Sequence, residues 1–179
     1  YESFRDGIEQ VLETGIKTQV FVYFCQVYPN TELAEPDYQK KYQISTIKIP
    51  LSEIHGVVRS SSGINEYEEI IISNMSMDIN NWKKSAVLSW LAQLLHGLKL
   101  GFYILIYLKK RHQVKYTNFF EYIMSLKTDS KTGSLLKNEV VNFYNVLDSI
   151  LQGNPRGQII PDFGNIYWDV EEASYLRII

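Results

Sequence analysis

The chain has 179 residues, 45% of them hydrophobic and 21% charged, which suits about one domain with a buried core rather than a disordered tail. Eighteen basic against twenty acidic residues leave a net charge of −2, which argues against a basic nucleic-acid binder. A single cysteine excludes a disulfide framework and any thiolate-rich metal or iron–sulfur site held by this chain alone.

The opening segment repeats apolar residues at Phe4, Ile8, Val11 and Leu12, the pattern of an amphipathic helix, and Gly15 closes it. A helix already under way at Tyr1 leads one to expect a piece of a longer protein. No charged stretch leads into a short apolar core, so no secretory leader is expected in this piece, and a cytoplasmic location is. Thr18–Cys25 is an almost unbroken β-branched and aromatic run, which predicts a strand covered on both faces, with Cys25 as a packed thiol. Helix followed by buried strand is half of a βα repeat. The polar loop Tyr28-Pro29-Asn30-Thr31-Glu32-Leu33 then falls at the carboxyl end of that strand, the end where α/β sheets bind ligands.

Asp37–Tyr42 reads as a short helical turn and Ile44–Ile49 as a half-buried strand stopped by Pro50. Ser52–Asn65, with Ser60-Ser61-Ser62-Gly63, reads as an exposed loop, and Glu66–Ser73 as another strand. Ser76, Asp78 and Asn80 compete to cap the helix that follows. Three helical stretches fill the second half: Trp82 to about Arg111, Tyr116–Leu126 and Leu135–Leu151, the last ended by Gly153-Asn154-Pro155. Gln158–Asp169 reads as a loop or short strand and Val170–Ile178 as a terminal helix. The expected class is therefore α+β: a short βα piece with a following strand over 1–50, a connecting loop and strand over 51–80, and a mostly helical domain over 81–179.

Ser85–Leu108 is long enough to span a bilayer, which needs about 20 apolar residues. Ser85, Ser89, Gln93, His96 and Lys99 interrupt it, and a central lysine costs about 2.5–3.5 kcal/mol on insertion. The first four fall at helical spacing, so the stretch reads as a core helix with one narrow polar stripe, broken near Gly97–Gly101, rather than as a membrane span. Ser89, Gln93 and His96 are candidates for a substrate pocket; a plain helix–helix seam would place them equally well.

Other chemistry is thin. His55, His96 and His112 share no metal-ligand spacing, no metal site is expected, and His112 reads as a partner of a helix C-terminus. Glu66, Glu68 and Glu69 read as solvated, and Glu171-Glu172 as first-turn acids that suit a helix dipole. No dinucleotide, P-loop, serine-hydrolase or zincin motif occurs, and the catalytic residues stay unassigned.

Two pieces carry a likeness to known proteins. The opening YESFRDGIEQVLETG, followed by TQVFVYFCQVYPNTELAEPDYQKKYQI, resembles the last βα unit of the partial barrel of radical S-adenosylmethionine enzymes. The specific likeness is to the C-terminal portion of the group that also carries a cobalamin-binding domain. There a Pro-x-Gly-Thr-Glu-Leu-like loop ends a strand; here it stands as Pro29-Asn30-Thr31-Glu32-Leu33, and Asn tolerates the left-handed backbone that Gly allows. The segments Ile44–Pro50 and Asn74–Trp82 extend the likeness.

The resemblance implies a parent enzyme with a [4Fe–4S] cluster and S-adenosylmethionine, with cobalamin open as a third cofactor. Its implied activity is radical methyl transfer or related oxidoreductase chemistry. It also implies that Tyr28, Asn30, Thr31 and Glu32 lie nearest cofactor or substrate, and that the helical domain caps the substrate side. The CxxxCxxC triad is absent, so this chain alone holds no cluster and performs no such chemistry. The expected partners are the rest of its own chain and a small-molecule or peptide substrate. A non-catalytic module that binds a protein or peptide through its aromatic surface is the alternative.

Overall fold

A computed structural model of the chain describes residues 1–58, 66–127 and 131–179. The predicted Ser60–Gly63 loop lies outside the described residues. Along the chain run α1 (Glu2–Glu13), α2 (Pro36–Tyr42), β1 (Ser45–Pro50), β2 (Tyr67–Ser73), α3 (Ile79–Leu91), α4 (Phe102–His112), α5 (Tyr116–Met124), α6 (Lys131–Leu151) and α7 (Val170–Ile178). The fold is α+β, mostly helical, with β1 and β2 paired antiparallel from Ser45 opposite Ser73 to Pro50 opposite Tyr67.

Local chemistry accounts for most boundaries. Gly15 and Gly153, at φ 80° and 87°, take the left-handed conformation that ends α1 and α6. Of the three competing caps for α3, Asp78 wins: its Oδ1 accepts the Asn81 amide at 2.7 Å. Ser76 is instead tied into a local turn, its amide and hydroxyl both donating to Asn74 Oδ1.

Thr18–Cys25 departs from expectation. It forms no strand, and Phe21, Val22 and Tyr23 are exposed. A strand exists only where its backbone finds a partner. The end of the run meets β2: Ile71 N–H donates to the Cys25 carbonyl (2.9 Å), and just beyond it Val27 N–H donates to that of Glu69 (2.8 Å). Cys25 is correspondingly an exposed free thiol, not a packed one.

The long apolar stretch is broken as expected. The helix of α3 widens into a π-helical turn at Ala92–Gly97, and α4 leaves at 96° after the break. No single helix among the described residues is long and apolar enough to cross a membrane; only this bent pair, taken together, reaches the length and composition. Val87, Leu88, Trp90, Leu91, Leu94 and Leu95 are all buried, as core-helix residues are.

Two compact units emerge, each assembled from separated segments. The first comprises Tyr1–Val22, Lys84–Tyr144 and Glu171–Ile179. Within it, Glu9 is almost wholly buried and ties α1 to the start of α5. Its Oε2 accepts the Thr117 amide (2.8 Å) and hydroxyl (3.0 Å), and its Oε1 accepts Lys109 Nζ (3.3 Å). A carboxylate over exposed amides at a helix N-terminus is favoured by both hydrogen bonding and dipole. The Arg177 guanidinium grips the buried Glu139 carboxylate and joins α7 to α6. The second unit comprises Tyr23–Lys83 and Asn145–Val170, with Ile49, Ile70, Leu147 and Ile150 fully buried at its core.

Candidate functional site

In the second unit the loop after the extended run forms the turn its composition demands. Asn30 adopts φ 64°, so the residue standing where Gly is common does take the left-handed conformation. The Thr31 hydroxyl donates to the Tyr28 carbonyl at 2.7 Å and is spent within the turn, while Glu32 opens a 3₁₀ turn through Ala34. A cavity of about 370 Å³ lies beside this loop, lined by Tyr23, Phe24, Gln26, Tyr28, Glu68 and Arg156. Only Tyr28 of the four predicted loop residues lines it.

The polar wall of that cavity is a closed network. Glu68, on the inward face of β2, receives Arg156 Nε on Oε1 at 2.9 Å and the Gln26 side-chain amide on Oε2. The Tyr28 hydroxyl donates to Gln26 Oε1, and Arg156 Nη1 stands 3.6 Å from Asp169 Oδ1. The reading of Glu68 as solvated is thereby corrected: strand alternation turns it inward, where Arg156 neutralises it. Arg156 carried no sequence signal of its own beyond following the Gly153–Pro155 helix stop.

In the first unit the predicted polar stripe of α3 is buried throughout, with Ser85, Ser89, Gln93 and His96 all less than a tenth exposed. Ser89 is satisfied locally, its hydroxyl donating to the Ser85 carbonyl at 2.8 Å. Among the described residues, Ser85 Oγ, Gln93 Oε1 and His96 Nδ1 find no hydrogen-bond partner. Gln93 and His96 belong to the π-helical turn, where the Leu98 amide reaches back five residues to the Gln93 carbonyl (2.7 Å). Gly97 makes room for the Gln93 side chain: a Cβ there would stand 2.3 Å from Gln93 Oε1 and 3.5 Å from Gln19 Cγ.

Burial, reinforced by the nearby Lys99 ammonium, holds the His96 imidazole below its ordinary pKa of 6.5, against a backbone hydrogen bond with Ile16. The ring stands edge-on to Phe102, with centroids 5.0 Å apart. Lys99 itself lies over the Phe102 ring at 4.0 Å and donates to the Lys17 carbonyl.

A [4Fe–4S] cluster does not fit the residues of this chain: it needs three thiolates, and Cys25 stands alone and exposed. Among the described residues no three His, Cys, Asp or Glu side chains converge as metal ligands do. His55 packs edge-on against Trp168 at 5.6 Å, and His112 sits in the last turn of α4, each far in sequence from the α3 stripe.

What the chain is similar to, along almost its whole length, is a cobalamin-dependent radical SAM methyltransferase, in line with the likeness its motifs carry. One such relative is the cobalamin-dependent radical SAM methyltransferase TokK of Streptomyces tokunonensis, 29% identical over 98% of this chain. Another is the 2-(S-pantetheinyl)-carbapenam-3-carboxylate methyltransferase of Streptantibioticus cattleyicolor, 27% identical over 74% of this chain. The chain spans about a quarter of the length of the curated relatives it matches: 27% of the first and 20% of the second. No protein-family model matches it.

Proposed function

We propose that this chain is the C-terminal portion of a cobalamin-dependent radical S-adenosylmethionine enzyme that methylates a small molecule. The observation that carries the reading is the similarity to TokK over 98% of the chain, its helical half included. In this reading the cluster ligands lie elsewhere in the whole protein, as does the binding of S-adenosylmethionine and cobalamin. The extended run Thr18–Cys25 supplies a strand that completes a partial barrel. The exposed side chains of Phe21, Val22 and Tyr23 favour that role, because an apolar run of this kind gains from covering neighbours in a sheet. The Tyr28–Glu32 loop then stands at the ligand end of that strand, and the helices form a substrate-side cap with Ser89, Gln93 and His96 toward the pocket.

The test is anaerobic expression of the complete reading frame, reconstitution with iron and sulfide, and assay of iron content and S-adenosylmethionine cleavage under reductant. About four irons per chain with release of 5′-deoxyadenosine or S-adenosylhomocysteine is the expected result. No cluster and no cleavage would overturn the reading and leave a protein-binding module with an aromatic surface.

A further inference from the structure

We propose that the cavity beside the Tyr28 loop takes a neutral carbonyl group, such as an amide, of the small-molecule substrate, with the Arg156 guanidinium as its hydrogen-bond donor. The proposal deepens the small-molecule reading given above and rests on it. Because that reading puts S-adenosylmethionine and cobalamin elsewhere in the whole protein, the substrate is left as the source of the group. All the lining residues belong to the second unit. At about 370 Å³ the cavity has the size of a small-ligand site, and aromatic walls with a few polar groups suit one. Phe24 is backed by Trp82, the two rings stacked with centroids 5.3 Å apart, which fixes that wall.

Arg156 has donors to spare. A guanidinium carries five N–H groups in a rigid fork. Among the described residues, its Nε alone makes a hydrogen bond, to Glu68 Oε1 at 2.9 Å. Nη1 stands 3.6 Å from Asp169 Oδ1, an ion pair too long for a hydrogen bond, and Nη2 makes none. Glu68, by contrast, has both oxygens taken, and the Gln26 oxygen is taken by the Tyr28 hydroxyl. The network that closes around Glu68 therefore holds Arg156 in place while leaving its Nη donors for a ligand, which must supply an acceptor.

Charge selects the kind of acceptor. One cation stands against two carboxylates, Glu68 at 2.9 Å and Asp169 at 3.6 Å. A carboxylate or phosphate ligand would add negative charge beside those two. A cation would bring only donors to a fork of donors. A neutral carbonyl oxygen accepts from Nη without either conflict, and a flat group attached to it suits the rings of Tyr23, Phe24 and Tyr28.

The experiment uses three probes of one shape in the full-length protein: 4-fluorobenzamide, 4-fluorobenzoate and 4-fluorobenzamidine, which are neutral, anionic and cationic. Fluorine relaxation of each probe reads its binding. The benzamide should bind saturably and at least roughly tenfold more tightly than either charged probe. Arg156→Lys keeps a cation beside Glu68 but loses the fork, and should weaken the benzamide about tenfold with the circular dichroism unchanged. Asp169→Asn decides the matter even if that variant does not fold: it removes one of the two carboxylates and should strengthen the benzoate severalfold relative to the benzamide. Equal binding of the three probes, preference for a charged one, or no saturable binding would overturn the proposal. So would a benzamide affinity indifferent to Arg156→Lys, or a preference indifferent to Asp169→Asn. None of these readouts needs a cofactor, so iron content and S-adenosylmethionine cleavage report separately on the enzyme reading.

Discussion

Each of the two units carries a buried polar cluster. In one, Glu68 has both carboxylate oxygens occupied, and Gln26, Tyr28, Arg156 and Asp169 complete the chain of contacts around it. In the other, Gln93 and His96 are buried to the same degree, yet each leaves an atom open. The first arrangement spends its hydrogen-bonding capacity on holding the fold. The second leaves buried atoms without partners among the described residues, which costs stability. Burial alone therefore does not say whether a polar cluster is internally satisfied; the tally of partners does.

The sharpest way to break the contrast is Arg156→Met. It strands the buried Glu68 carboxylate and should cost about 3–5 kcal/mol in urea unfolding, whereas adding Glu68→Leu should recover most of the loss. If the single variant costs under about 1 kcal/mol, the network is not the closed structural unit described. Glu9→Ala probes a second closed cluster, in the other unit. Removing the carboxylate over Thr117 should cost about 2–3 kcal/mol and expose the first-turn amides of α5 to hydrogen exchange.

At the open cluster the effects on stability should be small. Gly97→Ala forces the Gln93 amide to swing away from its present place; because the displaced atom ends a flexible side chain, the expected loss is about 1 kcal/mol. A loss as large as that of Arg156→Met would place Gln93 among the structural residues. The smallest effect concerns pH. The folded-state pKa of His96 lies below 6.5, so above pH 6.5 the ring is neutral whether folded or unfolded and its contribution is constant. As pH falls below 6.5 the unfolded chain takes the proton first, and stability declines until the folded-state pKa is passed. The urea midpoint should fall between about pH 7 and pH 5, and His96→Leu should flatten part of that slope.

The helical half of the chain could be read from local signals because those signals act within a few residues. The caps and stops at Asp78, Gly153 and Pro155, the break near Gly97 and the span of α7 all follow from side chain–backbone chemistry close at hand. Asn30 is a similar case, since a left-handed turn is a property of one residue. Thr18–Cys25 misled because β-branched content states a preference for extended backbone, while sheet membership needs a partner supplied from outside the run.

The polar residues divide in the same way. The stripe Ser85, Ser89, Gln93 and His96 was legible from spacing, because helical period puts those positions on one face. Which of the four keeps an unused atom was not, because Ser89 finds its partner on its own helix while Ser85, Gln93 and His96 find none among the described residues. Arg156 and Glu68 show the limit most clearly. The sequence by itself determined the class, the helices and the family likeness, all carried by local pattern and motif order. Only the tertiary structure decided that a strand glutamate turns inward onto an arginine eighty-eight residues away, and that Gln93 and His96 each bury an atom without a partner among the described residues. Pairing across such distances depends on which surfaces the whole chain brings together, and no local preference encodes that.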